Sequence, residues 1–238
     1  MRTTLQVCTE CFNWHEKCFI FYERNYEDNT MNKQKGFTLV EIAIVMVIIG
    51  LLLGGVLKGQ EVITNAKLKR AVNDFNGVTA AIYSYQDRYQ AIPGDDSAAV
   101  THLLITPGNP GYNGSGNGAI GGAFNSGGTT NESRLFWMHL RNAELVGGVA
   151  NPAQTEAYQQ PLHPWSEQEG VAYNTYGMRG HGFCYENLTP EIASILDSQN
   201  DDGVPNSGSV QSGTGNTAVA NVAANYTGAG PFHVCFRI

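Results

Sequence analysis

Charge is scarce in this chain: Asp, Glu, Lys and Arg make up only 15% of it, and the formal net charge is −7. An acidic balance argues against general electrostatic binding of nucleic acid, which needs a positive patch. The Gly-x-Ser-x-Gly elbow that would mount a nucleophile is missing. His102, His139, His163, His181 and His233 are scattered along the sequence, so no catalytic constellation stands out. Cysteine is nearly absent beyond residue 18, where only Cys184 and Cys235 remain. The most telling absence is local. Between Phe37 and Leu57 the single charged residue is Glu41.

What fills that interval is apolar, and it is about the length a helix needs to cross a bilayer core at ~1.5 Å per residue. A carboxylate inside such a span is costly, roughly 2.5–3.5 kcal/mol at mid-span and less near the interface, and by default it is functional and needs a partner. A secretory signal peptide would end in a small-residue cleavage site after its apolar core. No Ala-x-Ala stands just beyond the end of this one. A plain membrane anchor explains the hydrophobic run but not Glu41. Lys33 and Lys35 precede the span, which points to a cytoplasmic N-terminus. Gly50-x-x-x-Gly54 and Gly55-x-x-x-Gly59 permit close helix approach in lipid.

The junction Met31-Asn32-Lys33-Gln34-Lys35-Gly36, followed by Phe37-Thr38-Leu39-Val40-Glu41-Ile42, resembles the N-terminal signature of type IV pilins and type II secretion pseudopilins. The resemblance is strong over about 33–93 and loose beyond. It implies cleavage between Gly36 and Phe37 by a membrane-embedded prepilin peptidase, N-methylation of Phe37, and assembly with other pilin or pseudopilin subunits. It also implies that Glu41 meets the amine of a neighbouring Phe37 within a helix bundle. The inner membrane is then the station before assembly, and a periplasmic or extracellular filament the destination. Many pilins carry proline where this chain has Lys58, so local melting of the helix would rest on its glycines. Residues 1–36 become a leader. They hold five basic and five acidic residues, so the remainder keeps the same balance. Cys8-x-x-Cys11, His15 and Cys18 suggest zinc by residue type. Nothing around them builds a zinc fold, and the simpler expectation is that Met31 is the start.

Beyond Lys58, the residues Leu68, Ala71, Val72, Phe75, Val78, Ala81, Ile82, Tyr85 and Tyr89 recur at three- and four-residue steps. This is a helical stripe, which Pro93-Gly94 must end. The 28 glycines suit a loop-rich extracytoplasmic domain. The expected fold class is α+β, a long N-terminal helix packed on a small head with a short antiparallel sheet. The expected divisions are a leader at 1–36, a transmembrane or filament-core helix at 37–57, an amphipathic helix at 58–92 and a head at 93–238. In the head the pattern predicts a short helix from Asp95 to Leu104 and a Gly/Asn/Ser-rich loop over 106–131, flexible or presented at the surface. It predicts helices from Glu132 to Leu145 and from Thr189 to Asp197, with Pro190 in the first turn. Strands are expected over 171–176, 182–185 and 232–238. Thr217–Tyr226 reads as either strand or helix. Trp137 and Trp165 read as core, although surface aromatics in a displayed head could serve adhesion to a surface or glycan.

An exported head sits in an oxidising compartment, so Cys184 and Cys235 are expected to pair, with two separate thiols as the alternative. The pairing also resembles the C-terminal disulfide loop of many pilins. Asp197, Asp201 and Asp202 beside Gly203 offer the oxygens calcium takes. The stretch lacks the regular ligand spacing of a calcium loop, and a solvated Asp-Gly turn is the simpler reading of the same residues. No other cofactor is expected.

Overall fold

Helix α1 (Leu39–Tyr89) is continuous because the sequence from Leu39 to Tyr89 contains no proline, and its five glycines lie among good helix formers. A computed structural model describes residues 36–215, 222–228 and 230–238. The leader cysteines Cys8, Cys11 and Cys18, Lys33, Lys35 and residues 217–221 lie outside them. The chain divides into two units, Met1–Leu51 and Leu52–Ile238. In the first, the described residues are all exposed, and the helix is apolar and long enough to cross a membrane.

In the second unit the expected stripe faces inward. Leu68, Ala71, Val78, Ala81, Ile82 and Tyr85 are buried, while Val72, Phe75 and Tyr89 are partly buried against the same core. Phe75 lies 5.1 Å, centroid to centroid, from Phe236 and 6.1 Å from Phe183. The Tyr185 hydroxyl donates to the Ala71 carbonyl. The helix ends where Gln90 turns left-handed at φ 54°, three residues before the proline.

The receiving surface is a four-stranded sheet of β1 (Glu169–Tyr173), β2 (His181–Leu188), β3 (Val210–Gly213) and β4 (Phe232–Arg237). Its order is β1-β2-β4-β3, antiparallel throughout. The architecture is therefore α+β, a long apolar N-terminal helix followed by a head with an antiparallel sheet. β1 begins and ends earlier than the expected strand, and β2 runs three residues further. The last strand falls where expected. The strand β3 was not expected. Its sequence Val-Gln-Ser-Gly has one apolar residue, yet all four positions are buried because it closes the sheet beside β4.

Three α-helices complete the described part of the head. Helix α2 (Ala99–His102) is a single turn, shorter than the expected Asp95–Leu104, because Asp95 and Asp96 turn their carboxylates to other work. Helix α3 (Glu132–Asn142) buries Leu135, Phe136, Trp137 and Leu140 and stops before Leu145. Helix α4 (Pro190–Asn200) starts on a Thr189 hydroxyl that accepts the Ile192 N–H at 3.4 Å, with Pro190 where a missing N–H costs nothing.

The Gly-rich segment between α2 and α3 is held down rather than loose. Asp95 accepts from the Ser115 hydroxyl at 3.0 Å and from the N–H groups of Asn117 and Gly118 at 3.0 and 2.7 Å. Glu132 accepts the N–H groups of Ser115 and Gly121. A carboxylate is an acceptor only, and here two of them satisfy backbone donors that no strand pairs. Ile120 and Phe124 are buried as a result.

Candidate functional site

The start of α1 carries its polar chemistry in two residues. Thr38 and Glu41 form a reciprocal cap: Glu41 Oε2 accepts from the Thr38 N–H at 2.8 Å and the Thr38 hydroxyl at 2.9 Å, while the Glu41 N–H donates back to Thr38 Oγ1 at 3.2 Å. This is a capping box, in which the first residues of a helix satisfy each other's orphan donors. Phe37 stands just outside it, 83% exposed, with Gly36 exposed before it. The structure thus puts Gly36, Phe37 and Glu41 at the very start of an apolar helix, with Glu41 one turn in. Gly50, Gly54, Gly55 and Gly59 have no neighbour within 4 Å of where a side chain would begin, so the helix surface there is open to close approach.

Residues 31–57 match the family model for the prokaryotic N-terminal methylation motif. That motif places the chain in the type IV pilin and pseudopilin family. No curated protein matches the chain. The motif covers the pilin-like start alone, so the head must be read from its own geometry.

In the pilin head, Cys184 and Cys235 are directly opposite on β2 and β4 and form a disulfide with Cα atoms 4.0 Å apart. It ties the last strand to the central one and is enclosed by Phe124, Ala172, Tyr176 and Met178.

Asp197, Asp201 and Asp202 each offer a carboxylate oxygen within 4.8 Å of the others. All three also accept hydrogen bonds. Asp197 takes the Tyr226 hydroxyl at 2.6 Å and the Gly203 N–H at 3.1 Å. Asp201 takes the N–H groups of Ser209 and Val210, and Asp202 those of Val204 and the Ser207 hydroxyl. Burial pushes the Asp197 carboxyl up, Tyr226 and Gly203 pull it back, and the charges of Asp202 and Asp201 add to the upward push.

A third group, not visible in the sequence, closes the end of α1. Asp96, buried, accepts from the Tyr85 hydroxyl at 2.8 Å and contacts His102 Nδ1 at 2.8 Å. Burial acts to raise the Asp96 carboxyl, but the hydrogen bonds from His102, the Ala98 N–H and Tyr85 outweigh it and hold it low. Beside it, His139 Nδ1 accepts the Gly94 N–H at 2.9 Å and its Nε2–H donates to the Tyr112 carbonyl at 2.7 Å. Those two partners require the neutral ring. A second proton would aim a donor at a donor, and burial lowers the pKa of His139 accordingly.

The pH consequence has a definite sign. The unfolded chain takes up this proton near pH ~6.5 while the folded one does not, so stability present above ~6.5 is lost as pH falls below it. Glu169, pushed up to about 7 by burial and by Asp74, acts in the opposite sense, its contribution fading as pH rises through that value. The difference in melting temperature between the native chain and His139→Gln isolates the histidine. Between about pH 7 and pH 5 the native chain should lose more stability than the variant.

Proposed function

We propose that the chain is a structural subunit of a type IV pilus or type II secretion filament, and that its work is assembly rather than turnover. The observation that carries this reading is the register of the methylation motif against the apolar helix: Gly36 and Phe37 stand immediately before α1, and Glu41 lies in its first turn. Prepilin peptidase would cut between Gly36 and Phe37 and methylate the new amine. The divisions proposed are leader to residue 36, membrane or filament-core helix to 57, amphipathic helix to 92 and head from 93. Before assembly, the segment from Phe37 to Leu57 holds the subunit in the inner membrane, N-terminus in the cytoplasm. Afterwards the same segment lies in a filament core.

Within that core Glu41 would face the amine of a neighbouring Phe37. Two opposite charges offset each other's burial, whereas either alone in an apolar bundle is costly. The exposed Phe37 is free to deliver its amine to another subunit. The mass of the N-terminal peptide from membrane fractions tests the reading. An N-methyl-Phe37 terminus that appears only with an active prepilin peptidase is the expected result, and a terminus upstream of Gly36 in its presence overturns it.

Calcium at Asp197, Asp201 and Asp202 is a second, separable proposal. The donor set suits it: three carboxylates converge, one of them raised chiefly by its burial and further by its neighbours' charge. Calcium prefers such oxygens. If it binds, millimolar calcium raises the melting temperature of the native chain and not of Asp201→Asn. Equal melting with and without calcium leaves the cluster as a set of turn caps.

A further inference from the structure

A cavity of about 390 Å³ opens between α1, α3 and the edge strand β1, within the head unit. Its lining brings together Arg70, Asp74, Val78, Trp137, Val146 and Glu169. Two of these carry unsatisfied buried polar atoms. Glu169 is 4% exposed and Trp137 is 0% exposed, and neither Glu169 Oε2 nor the Trp137 indole N–H has a hydrogen-bond partner among the described residues. Each such group costs roughly 1–3 kcal/mol if left unpaired, and more when charged. A native protein tolerates that mainly where something else supplies the partner.

The charges around the cavity narrow what that partner is. Asp74 and Arg70 face Glu169 from α1, and Tyr185 faces it from β2. Arg70 Nε and Asp74 Oδ2 are 3.5 Å apart and largely offset each other. Arg70 is paired with Asp74 and reaches Glu169 only through its field, so among the described residues no cation makes a salt bridge to Glu169, and a cation is its complement. The indole N–H asks for the opposite, an acceptor oxygen. Val78, Leu145, Val146 and Leu162 provide apolar wall for a hydrocarbon body between the two. We propose that this cavity is a binding site for a small organic ammonium that also carries a hydroxyl or carbonyl oxygen, the ammonium donating to Glu169 and the oxygen accepting from Trp137. The inference does not depend on filament assembly.

Binding is linked to a proton. In the free protein, burial and the Asp74 charge, opposed by Arg70, keep Glu169 protonated up to about pH 7. An arriving ammonium favours the carboxylate, so the Glu169 proton leaves to solvent as the cation enters. A primary amine stays charged to near pH ~10, so only Glu169 titrates in the window tested.

The test uses the full isotope-labelled chain in detergent and follows the Trp137 indole N–H resonance. Probes are a series of amino alcohols from ethanolamine to aminopentanol, with pentanol and pentylammonium as controls. The expected result is a saturable shift for at least one amino alcohol, with affinity rising about tenfold between about pH 6 and pH 8 as the ionised fraction grows. Pentanol should bind at least tenfold more weakly, and Glu169→Gln should abolish the pH dependence. No saturable shift across the series overturns the proposal. So does binding that is independent of pH, or equal binding of pentanol, which would make the cavity merely apolar. If Glu169→Gln fails to fold, the pH series on the native chain decides alone.

Discussion

With Glu41 replaced by alanine, the leader is removed as in the native chain, yet the subunit is missing from sheared filaments. The two halves of that expectation have different causes. On the proposed function, cleavage would act at Gly36–Phe37, before the helix begins, and Glu41 lies four residues further on. Assembly would bury the start of α1 among other apolar helices, where each new amine would need a counter-charge. The structure supplies a control, because Glu41 has a second job in the capping box with Thr38. Losing a cap costs about 0.5–2 kcal/mol, a modest fraying of one helical turn. Leaving a buried amine without its partner costs several kcal/mol. Thr38→Ala therefore should thin the filament yield, while Glu41→Ala should abolish it. Glu41→Gln separates the roles further, since the amide oxygen still accepts from the Thr38 N–H but brings no charge. It should fail as Glu41→Ala fails. A Gln variant that assembles normally would reduce Glu41 to a helix cap.

The parts of this molecule that were readable beforehand are those where one physical demand dominates. An apolar run with one charge, followed by a three-and-four stripe, has few solutions but a long helix, and the stripe residues Leu68, Ala71, Val78, Ala81, Ile82 and Tyr85 bury where the stripe put them. Thr189-Pro190 announced α4 because a hydroxyl acceptor and a missing N–H both suit a helix start. Thr38-x-x-Glu41 is likewise a capping signature in the sequence, and the structure forms it. The unread parts depend on partners far along the chain. Val210–Gly213 becomes a strand only because β4 is there to pair with it. Asp95 and Glu132 look like ordinary surface acids until the Gly-rich segment folds back and gives them backbone N–H groups 11 to 23 residues away. Glu169 gives no local sign of being buried. Its position follows from the packing of α1 and α3 over the sheet edge.

Breaking the disulfide is expected to have the largest effect on the head. Cys184 and Cys235 are separated by 51 residues. Closing a loop of that size removes about 4 kcal/mol of chain entropy from the unfolded state in the loop-closure model. For a head of this size, each kcal/mol corresponds to roughly 2–4 °C in melting temperature, so the Cys184→Ser, Cys235→Ser double variant should melt about 10 °C lower. The substitution adds a further cost that loop closure omits. Both sulfur atoms sit in a cluster with Phe124, Ala172, Tyr176 and Met178, and two hydroxyls there would need partners the apolar wall does not offer. Cys184→Ala, Cys235→Ala avoids those hydroxyls and isolates the cross-link. The alanine pair should recover part of the loss but not most of it, because the strand register Cys184↔Cys235 is already held by the β2–β4 ladder and the covalent constraint acts on the unfolded chain. Melting of the alanine pair within a degree or two of the native chain would mean that the unfolded head is compact enough to need no tether.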